Sequence, residues 1–165
     1  MFILISTLWF CSQFFGLKAQ LDVTLLDFVF ESYDPDYFKD MEIITWNNDI
    51  DINMTVIDYM PLEAELRIQI IGATMGEYKV PTGIDWKFSL CEGLNEPIIM
   101  RMMMSYLVPP IDDCPPELGT YSGSYKFDDF RTFPDSFPPN NYLTITSIYT
   151  SEKTLLEMRS YVSTR

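Results

Sequence analysis

Two short stretches of this chain alternate apolar and polar residues almost without interruption. In "IDINMTVIDY" Ile50, Ile52, Met54 and Val56 fall on one face and Asp51, Asn53 and Thr55 on the other. In "AELRIQII" Leu66, Ile68 and Ile70 oppose Glu65, Arg67 and Gln69. A period of two belongs to the β-strand, whose successive side chains leave opposite sides of the pleat, so each stretch reads as a strand with one buried face. Pro61 in the intervening "MPLE" supplies turn chemistry. The two strands are therefore expected to pair as an antiparallel hairpin over a loop of about four residues.

Weaker strands follow the same logic. "VTLLDFVF" and "EIITW" are rich in β-branched and aromatic residues, and "IDWKFSLC" sets Trp86, Phe88 and Leu90 on one face. "SGSYKFDDF", "NYLTITSIY" and "LLEMRSYV" close the chain, the last placing Leu156, Met158, Ser160 and Val162 opposite Glu157, Arg159 and Tyr161. About eight strands spaced roughly ten residues apart, with turn signals between them, predict an all-β domain folded as a two-sheet sandwich or a barrel. There is no βαβ rhythm and no internal repeat. At 165 residues the chain fits one domain with a sizeable core.

Residues 97 to 108, "PIIMRMMMSYLV", depart from alternation. At helical spacing Ile99, Met102, Met103 and Tyr106 share one face while Arg101 and Ser105 share another; Asn95 can cap the start and Pro109-Pro110 stops it. One short helix is predicted here. Met100, Met102, Met103 and Met104 cover more than one of its faces. Core filling accounts for the face that meets the sheet, and the surplus suits a surface that repacks around variable apolar shapes, because methionine is unbranched and polarizable. The expected place for this helix is over the opening between the sheets, with Trp86, Phe88 and Leu90 as the opposing wall. Plain core packing is the competing reading for all of these residues.

The first nineteen residues, "MFILISTLWFCSQFFGLKA", are apolar from Phe2 to Leu17 with few interruptions and read as a secretory signal, which leaves a single domain over residues 20–165. The stretch lacks a cationic start, so an uncleaved anchor is the alternative; after removal no membrane span is expected. Cleavage would take away Cys11 and leave Cys91 and Cys114 to form a disulfide in an oxidising compartment. Two buried thiols in a cytosolic protein are the alternative. Asn53-Met54-Thr55 is a glycosylation acceptor, and Asn53 lies on the polar face of the cleanest strand.

Charge and missing residue types exclude several functions. With 11 cationic and 24 anionic side chains the net charge is −13, and loss of Lys18 with the signal would make it −14. Phosphate backbones and anionic membranes select basic surfaces, so no nucleic-acid partner is expected. The chain contains no histidine, which removes Ser-His-Asp triads, Cys-His pairs and histidine-based zinc sites. "GTYSGSYK" lacks the ending of a phosphate loop, and "DPDYFKD" lacks the glycine and distal glutamate of a calcium loop. The adjacent carboxylates Asp112-Asp113 and Asp128-Asp129 point to opposite faces if they lie on strands, and so cannot flank one glycosidic bond. No catalytic residue, metal or cofactor is expected.

The order of elements resembles an insect secreted family that includes the chemosensory protein B group, related to the ML lipid-recognition superfamily. The likeness rests on Cys91 after an aromatic strand, Cys114-Pro115, and Pro138-Pro139 shortly before Tyr142 and a Thr/Ile strand. It runs from about Leu21 to the end of the chain. It implies an immunoglobulin-like sandwich whose sheets splay to hold a hydrophobic small molecule or lipid, together with secretion and a chemosensory or reproductive role, as some members have. Many members carry more cysteines, and Asn140-Asn141 stands where a glycine is common, with asparagine expected to tolerate the left-handed turn. Two function classes emerge. One is a secreted carrier or co-receptor for a hydrophobic small molecule, such as a lipid or a cuticular-hydrocarbon or pheromone-like compound. The other is an extracellular interaction protein with a filled core, whose acidic surface meets a receptor or another basic protein.

Overall fold

Both alternating stretches become strands with one buried face, but they belong to different sheets. The computed structural model describes residues 23–95, 106–127 and 138–165. Among these residues the order is β1 (Val23–Tyr33), β2 (Phe38–Trp46), β3 (Asp49–Val56), β4 (Glu65–Thr74), β5 (Glu77–Ser89), α1 (Leu90–Leu94), β6 (Leu107–Val108), β7 (Gly119–Lys126), β8 (Asn140–Tyr149) and β9 (Thr154–Thr164). They form two antiparallel sheets, a five-stranded one in the order β1-β9-β8-β4-β5 and a four-stranded one in the order β2-β3-β7-β6. The chain is a β-sandwich. The expected leader, residues 1–19, lies outside the described residues, and among the described residues no helix is long and apolar enough to cross a membrane.

The hairpin expected between β3 and β4 does not form. β3 pairs with β2 and β7, whereas β4 pairs with β5 and β8. The reason lies in the connection, which behaves as a crossover between layers rather than a tight turn. Met60 and Ala64 are buried in it, 4% and 1% exposed, and Ala64 N–H donates to the Pro61 carbonyl at 2.9 Å. Two tight hairpins occur elsewhere. β2 and β3 join through Asn47-Asn48, both left-handed (φ 47° and 67°), and β4 and β5 through Met75-Gly76 (φ 50° and 82°). Left-handed pairs match the strand twist, and asparagine and glycine tolerate them best. Asn48 also anchors its turn: its Oδ1 accepts from Leu25 N–H at 3.0 Å and its carbonyl from Phe127 N–H at 2.7 Å.

β5 is longer than its sequence suggests, because Pro81 and Gly83 read as breakers. The strand absorbs them as a bulge, the register slipping between Gln69–Asp85 and Ile71–Pro81. Pro81 sits on an edge strand, where its missing N–H costs no ladder bond. Thr82 Oγ1 donates to the Ile70 carbonyl at 2.7 Å and ties the bulge down.

The core lies where the inward faces meet. Leu66, Ile68 and Leu155 are 0% exposed, and Phe38, Ile50, Val56 and Val162 are 2%. Each such side chain contributes about 1.5–3 kcal/mol by burial. Thr55 departs from the pattern: it is on the outward face yet only 7% exposed, and its hydroxyl shares a 3.0 Å hydrogen bond with that of Thr120 across β7.

The helix among the described residues is α1 (Leu90–Leu94), and the helix expected within residues 97–108 falls mostly outside the described residues. α1 follows β5 directly, with Ser89 N–H and Oγ donating to Glu92 Oε2 at 3.4 and 2.8 Å. Asn95 ends this helix, its Nδ2 donating to the Cys91 carbonyl at 2.9 Å. Residues 96–105, with most of the methionine-rich stretch, lie outside the described residues. Tyr106 is in a turn, and Leu107–Val108 form β6 on β7, opposite Gly123 and Ser122. A Cβ on Gly123 would lie 2.6 Å from the Tyr106 carbonyl oxygen, so β6 approaches β7 this closely only over a glycine. α1 docks in the same way: a Cβ on Gly93 would lie 2.5 Å from Leu66 Cδ2. Cys91 in α1 and Cys114 beyond β6 form a disulfide with Cα atoms 5.5 Å apart. Asn140 and Asn141 correct a further expectation. They open β8 as ordinary strand residues, and among the described residues the left-handed non-glycine positions lie elsewhere, at Asp40, Asn47, Asn48 and Met75.

Candidate functional site

A cavity of about 50 Å3 lies between the sheets, and every residue lining it is apolar. One wall is the inward row of β3, Ile52, Met54 and Val56. The other crosses three strands in register, Leu66 opposite Ile148 and Ile148 opposite Leu156, with Met158 beside them. Met60 closes the space from the β3–β4 crossover, Leu94 from α1, and Leu107, Ile111 and Pro116 from the strap that leads into β7. Phe30 and Phe38 complete the lining. The volume exceeds the 10–15 Å3 a single water needs, but the walls offer water no hydrogen bonds, and such a space stays dry or takes an apolar guest.

Sequence reasoning places the wall imperfectly. Trp86 and Phe88 do share the inward side of β5, directly opposite Ile68 and Leu66. Trp86 is nevertheless 37% exposed and Phe88 half-buried, because β5 is the edge of its sheet. Leu90 is in α1 and 2% exposed, within the core. None of the three lines the cavity. Tyr106 is half-buried and stacks on Tyr125, ring centroids 5.7 Å apart at 27°. Ile99, Met102 and Met103 lie outside the described residues. Three other methionines, Met54, Met60 and Met158, do stand on the cavity wall. Alternation already turns Met54 and Met158 inward; the signal missed is the pairing of that inward row with Met60 through the crossover.

Among the described residues no ionisable side chain lines this space. Burial pushes the Tyr125 phenol up, so it stays neutral near pH 7. Charge is paired on the exterior instead. Arg67 donates to both oxygens of Asp85 at 2.6 Å, and this hydrogen bonding holds the Asp85 carboxyl below its ordinary range. Lys153 pairs with Asp34 at 2.5 Å and lies 5.1 Å from the Tyr37 ring centroid; its hydrogen bond lowers Asp34 in the same way.

Asn53 lies on the outward face of β3, between Glu42 of β2 and Ser122 of β7. It is half-buried, and its Nδ2 reaches the Asp40 carbonyl at 3.3 Å, where Asp40 (φ 51°) stands in a bulge of β2. A contact this long and exposed is weak enough for the amide to carry a glycan instead. Expressed through an insect-cell secretory pathway, the protein is expected to show a glycosidase-sensitive mass shift that Asn53→Gln abolishes. Identical masses before and after glycosidase treatment would show the acceptor to be unused.

No protein-family model matches the chain, and no curated protein does.

Proposed function

We propose that the chain is a secreted binding protein that holds the apolar part of a small molecule, such as a lipid, between its two sheets and serves as a carrier or co-receptor. The observation that carries this reading is the wholly apolar cavity walled by both sheets, α1 and the strap. At about 50 Å3 it is well below the 300–1,000 Å3 of a site that encloses a drug-sized ligand, so its guest is a slender chain end or one that displaces the wall. Met54, Met60 and Met158 supply that adaptability, since methionine changes rotamer at little cost.

The immunoglobulin-like form of the sandwich belongs to the same proposal. Tyr121 Oη donates to the Glu117 carbonyl and Tyr142 Oη to the Pro138 carbonyl, each at 2.8 Å and four residues back. Such backward tyrosine bonds mark strand corners in immunoglobulin-like sandwiches. The likeness of the Cys91, Cys114-Pro115 and Pro138-Pro139 segments to the chemosensory protein B group points the same way.

The small size of the cavity favours the second reading, an extracellular interaction protein with a filled core. Native mass spectrometry of protein secreted by its own host separates the two. The carrier is expected to arrive with a bound apolar molecule and, once stripped, to take up an elongated fluorescent probe that a fatty acid displaces. Protein that carries nothing and binds no probe is the filled-core module.

A further inference from the structure

The two longest free edges of a sandwich are its points of risk and of use, since unpaired backbone groups invite another strand. β5 ends the five-stranded sheet, bonded to β4 on one side, and among the described residues no strand pairs with its other side. Its first half is a poor template, interrupted by Pro81, by Gly83 (φ 89°) and by the register slip. From Asp85 to Ser89 it runs in unbroken register with β4 and contains no proline.

We propose that this edge pairs antiparallel with the same edge of a second copy, about a two-fold axis at Trp86, joining two five-stranded sheets into one. The register follows from charge. In "IDWKF" an axis at Trp86 sets Asp85 opposite Lys87 of the second copy, and Lys87 opposite its Asp85, on the outward face. Ile84 and Phe88 meet on the inward side, and Trp86 meets its own symmetry mate. A perpendicular two-fold keeps the two faces distinct, so the axis must pass through a residue. Moving it by one residue sets Asp85 against Asp85, or Lys87 against Lys87, and like charges directly opposite are destabilising. Within the regular segment from Asp85 to Ser89, only the Trp86 axis brings unlike charges together.

Exposure agrees with this assignment. Trp86 is 37% exposed although its cross-strand neighbour Ile68 is 0% exposed, so the inward row is covered up to β4 and left open at β5. Asp85 already accepts two hydrogen bonds from Arg67, and in the dimer its carboxylate lies between that guanidinium and the second copy's ammonium. The net charge of −13 opposes self-association at long range. At physiological salt the screening length is about 8 Å, which weakens that repulsion more than it weakens contacts across a strand pair.

Sedimentation velocity of the purified chain over a range of concentrations tests this. The wild type is expected to show a monomer–dimer equilibrium. Lys87→Asp and Asp85→Lys should each weaken it by about tenfold or more, because each turns two opposite-charge pairs into like-charge pairs. Lys87→Asp places its new carboxylate directly across from Arg67 and leaves the Arg67–Asp85 pair intact, so it retains the fold. The double exchange Asp85→Lys/Lys87→Asp should restore dimerisation to within a few-fold. An equimolar mixture of the two single variants should form a heterodimer, since one edge then carries two carboxylates and the other two ammoniums. A wild type that stays monomeric at every concentration overturns the proposal. So do single variants that dimerise like the wild type, or a double exchange that stays monomeric.

Discussion

Replacing both cysteines, Cys91→Ala with Cys114→Ala, is expected to lower the unfolding free energy by about 3 kcal/mol, the loop-entropy value for a bridge across a separation of 23 residues. Denaturant unfolding of the oxidised protein beside the double variant measures it. The bridge also joins two pieces of the cavity wall. Leu94 lies three residues after Cys91, and Ile111 and Pro116 lie on either side of Cys114. α1 keeps its own hold on the sheet through Leu90, Leu94 and the close contact of Gly93 with Leu66. The strap has less. Its apolar anchors are Leu107 and Pro116, buried, and Ile111, half-buried, with a two-residue strand to fix them. Binding of an apolar probe should therefore weaken several-fold in the double variant even at temperatures where it remains folded. Equal stability with and without the cysteines would show that the bridge restrains nothing.

Strand positions were legible because alternation is a local property. Leu66, Ile68 and Ile70 announce their burial in seven letters, and all three are at most 4% exposed. The cysteine pairing was legible by counting. Sheet membership was not, because β3 and β4 look the same whether they pair with each other or pack face to face. What decides between these is Met60 and Ala64 burying the connection, a tertiary fact with no period. α1 was missed because five residues, "LCEGL", are too short to show helical spacing and include a glycine, which normally argues against helix. Its glycine is there for contact with Leu66 rather than for backbone freedom. The site was half legible. Inward rows name Met54, Leu66, Leu156 and Met158, but which rows face one another across the cavity depends on the strand order of both sheets.

Leu66→Ala carries the largest expected single-residue effect and bears directly on function. The side chain is 0% exposed, abuts Gly93 of α1 and forms part of the cavity wall, so its truncation should cost about 2–5 kcal/mol. Leu155→Ala is the matched control. It is also 0% exposed but does not line the cavity, so its removal leaves a hole of one side chain away from that lining. An elongated apolar probe, longer than any such hole, distinguishes them. If the space between the sheets receives ligand, Leu66→Ala widens a passage that already exists. The probe then binds the folded state more tightly and returns about 2.7 kcal/mol of the loss at a hundredfold excess over its dissociation constant. Leu155→Ala should lose a similar stability and regain no more than the wild type gains from the probe. Thermal unfolding of the three proteins with and without probe reads this out. Equal, negligible recovery in all three would mean that the core between the sheets is closed to ligands, and the chain would then act through its acidic surface.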